Sequence, residues 1–94
     1  MPRYITLIRF TDQGAKTLND SPKRARAFRK AAERAGVAVE SQLWMFGKWG
    51  GALILDGKEA KVLRCVAELA KLGNVRTETL RAFDAEEFQD IIGG

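Results

Sequence analysis

The stretch from Val37 to Leu55, VAVESQLWMFGKWGGALIL, constrains the fold of this chain more than any other segment. Its two halves have the composition of β-strands, and a glycine-rich break from Gly47 to Gly50 joins them. So short a connection between two strands is typical of a β-hairpin. One amphipathic helix is predicted before the hairpin and another after it, so the remainder of the chain is organised around this stretch.

Alternate side chains in the first half of this stretch separate into two sets, which lie on opposite faces of a strand. One set is apolar and predicts a core face: Val37, Val39, Leu43 and Met45. The other set mixes polar groups with aromatic rings: Glu40, Gln42, Trp44 and Phe46. We expect this second face to lie away from the helices and to be covered by something else, because sheets exposed to water seldom carry such a patch.

The first strand and the first long helix are indicated by alternation and by a capping pattern. Residues 4–10 alternate and are rich in β-forming side chains. They divide into Ile5 and Leu7 on one side and a second set that we expect the helices to leave bare: Tyr4, Thr6, Ile8 and Phe10. Ser21 as N-cap and Pro22 at the first helical position then predict a helix that ends at Gly36.

The second half of the chain predicts three further elements. A helix is expected over 58–72, ended by Gly73, and a fourth strand over 75–83. Both faces of that strand are mixed, which fits a strand that has helices on one side and a partner subunit on the other. Asp84 and Glu87 form a capping box for a last short helix. Its apolar side consists of Phe88, Ile91 and Ile92.

The resulting order is β-α-β-β-α-β with a C-terminal helix, which is the ferredoxin-like split βαβ arrangement. We therefore predict an α+β fold in which right-handed crossovers place two helices on one face of a four-stranded antiparallel sheet. A length of 94 residues with 46% hydrophobic content suits one domain, residues 1–94. The bare sheet face predicts a protein that is at least a homodimer.

Missing residue types exclude several classes of chemistry. The chain contains no histidine, which excludes Ser-His-Asp and Cys-His nucleophiles, ordinary zinc sites and a histidine-ligated haem. We therefore expect no metal and no cofactor, and no catalytic residue can be assigned. The single Cys65 cannot form an internal disulfide and is expected near the solvent boundary. With neither a membrane span of roughly 20 apolar residues nor a signal peptide in view, a cytoplasmic protein is expected.

The formal net charge of +4 originates in one helix. Residues 22–36 carry six basic side chains against Glu33 alone, a balance of +5, so the remainder of the chain sums to −1. Arg26, Lys30 and Arg34 follow one another at intervals of four residues and lie on one face. Nucleic-acid binding through the basic helix 22–35 is therefore one alternative function. It is not the favoured one, because the charged outer face of a surface helix is usually only solvated.

Four segments of the chain together carry a family resemblance: YITLIRFTDQG at 4–14, DSPKR at 20–24, LGNVRTETLRAF at 72–83 and the final EEFQDII. They resemble the GYD-domain family, small bacterial proteins of ferredoxin-like, dimeric α/β-barrel type whose biochemical role is unassigned. The family is named for a glycine, a tyrosine and an aspartate at the hairpin. Here Gly47 remains, Trp49 stands in place of the tyrosine and Gly50 replaces the aspartate. The resemblance implies a dimeric α/β barrel and supplies no catalytic residue.

The favoured hypothesis is a homo-oligomeric domain that binds a small, largely apolar molecule between sheet faces. The residues predicted to line this site are Tyr4, Thr6, Glu40, Gln42, Trp44, Trp49 and Arg81. Trp44 and Trp49 are expected to flank a partly enclosed cavity. One alternative is that these residues only pack a dimer interface. Another is a cofactor-independent monooxygenase or isomerase, since proteins similar to this fold include monooxygenases that work without metal or haem.

Overall fold

The computed structural model describes residues 2–93 as one four-stranded sheet with helices. Along the chain lie β1 (Arg3–Phe10), α1 (Asp12–Lys16), a 3-10 turn (Leu18–Asp20), α2 (Ser21–Arg34), β2 (Ala38–Trp44), β3 (Gly51–Asp56), α3 (Glu59–Lys71), β4 (Val75–Ala82) and α4 (Ala85–Ile92). The strand order is β2-β3-β1-β4, and every neighbouring pair is antiparallel. The predicted α+β, ferredoxin-like arrangement is therefore confirmed.

The core lies between one face of the sheet and the pair formed by α2 and α3. Its buried members are Tyr4, Ala32, Val37, Val39, Leu53, Leu55, Val62, Cys65 and Val66. Because residues of both helices belong to this one cluster, α2 and α3 cover the same face of the sheet. Leu55 and Val62 are fully buried, and burying each such side chain contributes about 1.5–3 kcal/mol.

The structure reverses the predicted orientation of β1. Tyr4 and Thr6 are buried beneath the helices, and Ile8 packs against the same core. Ile5 and Leu7 therefore lie on the opposite face. The alternation of side chains along β1 correctly divided its residues between the two faces, but both faces carry large apolar side chains. Nothing in the strand itself decided which set the helices would cover.

A β-bulge reverses the predicted orientation of the second half of β2. The pairing with β3 shifts by one residue between Val39 and Ser41, so that Glu40 is the extra residue. An inserted residue exchanges the inward and outward positions of all residues that follow it. Gln42 and Trp44 consequently face the helices, as Val39 does, and their predicted position on the bare face was wrong.

Two local predictions also differ from the structure. The N-cap of α2 is Asp20 and not Ser21, although Pro22 does occupy the first turn. Cys65, expected near the solvent boundary, is 9% exposed and belongs to the core, because the side of α3 that carries it faces α2. Within residues 2–93, none of the helices is long and apolar enough to cross a membrane.

Helix α1 fastens the start of the first crossover to the loop between α3 and β4. The backbone N–H of Thr11 donates to the carbonyl oxygen of Asn74 at 3.1 Å. The Thr11 hydroxyl donates to the carbonyl oxygen of Gly73 at 2.7 Å. Gly14 packs so closely in this contact that a Cβ there would overlap the carbonyl group of Asn74. Only glycine permits this approach of the two backbone segments.

We expect Gly14→Ala to lower the free energy of unfolding by about 1–3 kcal/mol, because relieving the overlap with Asn74 requires a shift of the backbone. Gly57→Ala is the matched control, since the atom nearest its added Cβ lies at 3.4 Å, an ordinary contact. Urea unfolding followed by circular dichroism measures both variants. Equal losses at the two positions would contradict the close approach at Gly14.

Candidate functional site

The seven residues predicted to line a ligand site divide between the two sides of the sheet. On the side of α2 and α3 lie Tyr4, Thr6, Gln42, Trp44 and Arg81. Glu40 instead contacts Arg3, and Trp49 contacts Arg9. Both arginines alternate with the buried residues of β1 and therefore lie on the opposite face of the sheet. The structure therefore does not bring the seven side chains together.

Three of the seven form a column where β1 pairs with β4. Thr6 is fully buried, and its hydroxyl is hydrogen-bonded to the hydroxyl of Thr79 at 3.0 Å. The Arg81 guanidinium lies 5.5 Å from the ring centroid of Tyr4 and donates to the carbonyl oxygen of Arg3 at 3.2 Å. The Thr6 hydroxyl and the Arg81 guanidinium thus have partners within the protein, and these contacts join the two strands.

Gln42 and Trp44 connect strand β2 to helix α2. The Gln42 amide Nε2 donates to the carbonyl oxygen of Ala25 at 2.8 Å, and its Oε1 accepts from Arg29 Nε at 3.3 Å. The Trp44 indole Nε1 donates to Ser21 Oγ at 3.0 Å. These bonds satisfy the polar atoms of both strand residues and fix α2 over the edge of the sheet.

A cavity of about 490 Å³ opens between α2, α3 and the sheet, and we call it the interhelical groove. Its mainly apolar lining includes Phe10, Phe28, Ala31, Leu53, Cys65 and Leu69. Gln42 and Trp44 line it as well, so two of the seven predicted residues reach this cavity. Its charged lining residues are Arg24, Arg64 and Glu68. The volume lies within the range of roughly 300–1,000 Å³ found for small-molecule sites.

The hairpin between β2 and β3 carries three exposed apolar side chains, Trp44, Met45 and Phe46, which we call the hairpin tip. The Trp44 ring is half exposed and Phe46 is fully exposed. Together with Leu18 and Pro22, the tip lines a second depression of about 400 Å³. Trp44 and Phe10 line both cavities, so their rings lie where the two cavities adjoin.

Trp49 lines neither of these two cavities, so they are not flanked by both tryptophans. The Trp49 ring instead lies near two cations, with Arg9 Cζ at 5.1 Å and Lys48 Nζ at 5.6 Å from its centroid. Such cation–π contacts are favourable when the cation lies within about 6 Å of the ring centroid. Trp49 therefore belongs to the side of the sheet that carries Arg9.

The face of the sheet opposite α2 and α3 is apolar at its centre, and we call it the open face. It is defined by Ile5, Leu7, Leu43, Ala52, Ile54 and Leu80. Leu43 is 54% exposed and Leu80 is 44% exposed. The apolar side of α4, formed by Phe88, Ile91 and Ile92, is exposed as well. A face of this kind is unusual on a monomeric soluble protein and typical of an interaction surface.

Charges are distributed unevenly along the open face. At one end Arg9 and Arg76 stand directly opposite each other on β1 and β4, an arrangement of like charges that destabilises the sheet. At the other end Arg3 is paired with Asp56 across the strands and donates from Nε to Glu40 Oε2 at 3.0 Å. The bond to Glu40 raises the pKa of Arg3, which stays charged. Glu78 also lies on this face, opposite Leu7. We call the end that carries Arg9 and Arg76 the basic end, and the end where Glu40 and Asp56 flank Arg3 the acidic end.

Cys65 offers the only thiol of the chain to the interhelical groove. Burial raises the pKa of this thiol, and the neighbouring Arg64 opposes the shift only in part. A thiol of raised pKa stays protonated at neutral pH and is a poor nucleophile. Across residues 2–93, no three His, Cys, Asp or Glu side chains are grouped to hold a metal ion.

The sequence predicts α2 to be amphipathic but does not indicate the groove beside its apolar stripe, which consists of Ala25, Phe28, Ala31, Ala32 and Ala35. Ala32 is buried in the core, whereas the neighbouring Ala31 and Ala35 are exposed and line the groove. The signal that could have found the groove is the number of alanines in this stripe. Such short side chains leave unfilled space between a helix and its neighbour.

Comparisons with known proteins agree with this architecture. A model of the GYD domain matches residues 4–92, which extend from β1 to the last residue of α4. The chain is also similar to a Thermus thermophilus protein named glutamine synthetase and cystathionine beta-lyase binding protein. The two are 36% identical over 84 residues, which cover 87% of this chain and 88% of the relative.

The bond between Trp44 and Ser21 can be measured by a double-mutant cycle. We expect Trp44→Phe to lower the free energy of unfolding by about 1 kcal/mol, because the ring remains while the donor is lost. The coupling free energy between Ser21→Ala and Trp44→Phe should be about 0.5–1 kcal/mol. Trp49→Phe, on the other side of the sheet, should not couple to Ser21→Ala. Strictly additive losses for Trp44→Phe and Ser21→Ala in urea unfolding would contradict the bond.

Proposed function

We propose that this chain, which belongs to the GYD domain family, is a protein-binding module that forms a homodimer and holds a metabolic enzyme. An enzyme partner is supported by the name of the relative that is 36% identical, a protein described as binding glutamine synthetase and cystathionine beta-lyase. The structural observation that carries the proposal is the hairpin tip, where the fully exposed Phe46 stands beside Trp44 and Met45.

The hairpin tip has the properties of an anchor for another protein. Large aromatic side chains provide most of the free energy at the centre of many interfaces. Backbone hydrogen bonds hold the tip in place, since Met45 N donates to Gly50 O at 2.9 Å and Gly50 N donates to Ile8 O at 2.7 Å. An anchor that is already ordered loses little conformational entropy when it binds.

The open face is the surface we assign to a second copy of the chain. A pairing that lays the two sheets face to face, with their strands in opposite directions, sets the basic end of each copy over the acidic end of the other. The like-charged Arg9 and Arg76 would then meet the end of the partner that carries Glu40 and Asp56. Such a self-complementary contact is what a two-fold symmetric dimer requires.

The other functions considered from the sequence have weaker support. A ligand between two sheet faces is disfavoured because five of the seven side chains expected around it lie on the opposite side of the sheet. The protonated Cys65 thiol does not favour an enzyme. Nucleic-acid binding rests only on the row of Arg26, Lys30 and Arg34, and such a charged outer face of a surface helix is usually only solvated.

The homodimer is tested by sedimentation velocity at micromolar concentration. We expect the wild type to sediment at twice the 10.4 kDa chain mass. Leu80→Lys should weaken the dimer by about tenfold or more, because it places an ammonium group at the apolar centre of the interface. Leu63→Lys is the control, since Leu63 is 46% exposed and Leu80 44%, but Leu63 lies on α3. A wild type that sediments only as single chains would contradict the dimer.

The enzyme partnership is tested by calorimetry with purified glutamine synthetase and cystathionine beta-lyase from the same genome as this chain. We expect at least one enzyme to bind the wild type, and Phe46→Ser to weaken binding by about thirtyfold, as for a typical hot-spot residue. Leu63→Ser, which removes another exposed apolar side chain, should leave affinity unchanged. The proposed role of the tip fails if neither enzyme binds, or if Phe46→Ser binds as the wild type does.

A further inference from the structure

We propose that the interhelical groove binds a small amphipathic carboxylate with an aromatic or branched hydrocarbon body. The groove lies between α2, α3 and the sheet, so it is a different surface from both the open face and the outer side of the hairpin tip. The inference stands independently of the proposed protein partners.

The body of the ligand follows from the lining of the groove. The walls supply aliphatic and aromatic carbon from both helices and from the floor of the sheet, including Phe10, Phe28, Leu53 and Leu69. The polar atoms of Gln42 and Trp44 are already bonded to α2, so they impose no polar partner on the ligand. A volume of about 490 Å³ accommodates a bicyclic aromatic ring or a branched chain of similar size.

The carboxylate follows from the charges at the groove. Arg24 extends from α2 and Arg64 from α3, so the two helices each supply a guanidinium. The acceptors of Arg24 are neutral oxygens of Thr17 and Gly14, which leave its charge uncompensated. Within residues 2–93, no ion pair is found for Arg64.

The single acidic residue that lines the groove does not cancel these charges. Glu68 accepts a hydrogen bond from Lys71 Nζ at 3.1 Å and so forms an ion pair within its own helix. Arginine binds carboxylates and phosphates through two parallel hydrogen bonds. Of the two, the singly charged carboxylate suits this groove, because its lining is mainly apolar and a second negative charge would be costlier to desolvate. Trp44 adds a half-exposed ring at one wall, against which an aromatic body can stack.

The probe is 1-naphthaleneacetate, and its neutral counterpart 1-naphthaleneacetamide has the same body without the charge. We expect saturable, submillimolar binding of the acetate by calorimetry and about tenfold weaker binding of the amide, since charge-assisted hydrogen bonds are about twice as strong as neutral ones. In two-dimensional ¹H–¹⁵N spectra, the shifted amides should belong to groove residues of α2 and α3. No saturable binding, or shifts confined to the open face, would overturn the proposal.

Two substitutions separate the body of the ligand from its charge. Ala31→Phe fills the groove from an exposed helix position and should weaken the acetate by about tenfold or more, whereas Ala67→Phe, exposed on α3 outside the groove, should not. Arg64→Gln should raise the dissociation constant of the acetate by about tenfold and change that of the amide by less than about twofold. Lys61→Gln removes the same charge from α3 outside the groove and serves as its control.

Circular dichroism and thermal unfolding confirm that each variant is folded before binding is compared. Acetate binding that is equally strong in the wild type, Ala31→Phe and Arg64→Gln would place the probe elsewhere and overturn the assignment. Groove amides that shift with protein concentration in the absence of probe would show that a second copy occupies the groove, and would also overturn it.

Discussion

The β-bulge between Val39 and Ser41 determines which surfaces this protein presents. Because one extra residue reverses the alternation of the strand, Gln42 and Trp44 turn towards α2 and bond to it. In a regular strand, Leu43 would face the helices and the Trp44 ring would lie on the open face. The edge of the groove, the support of α2 and the shape of the hairpin tip all depend on this one irregularity in the sheet.

The sheet then separates two surfaces of different chemistry. On the helix side, α2 and α3 leave an apolar groove with an arginine from each helix. On the other side, an apolar centre lies between a basic end and an acidic end, a pattern suited to pairing with itself. Trp44 belongs to both the groove and the hairpin tip, and its side chain is half exposed.

Only part of the candidate site could be predicted from the sequence. The aromatic residues around Trp44 drew attention to the hairpin, and Gln42 and Trp44 line a cavity on the side of the helices. Tyr4 and Arg81 instead contact each other across the β1–β4 pairing. The sequence placed them on the wrong side of the sheet, because a strand with two apolar sides does not reveal which side the helices cover. The arginines of the groove, one on each helix, were not recognised as a set, since only packing places them around one cavity.

The sequence by itself determined the four strands, the helices α2, α3 and α4, and their order. The signals used were local: alternation along the strands, the capping box at Asp84 and the glycines that end the helices. They depend only on hydrogen bonds and steric contacts between residues close in sequence. Tertiary structure alone decided which face of β1 is buried, where β2 reverses its alternation and what lies between α2 and α3. These features depend on pairing and packing between segments far apart in the chain, because a strand's register and a cavity's volume are properties of the neighbours that surround them.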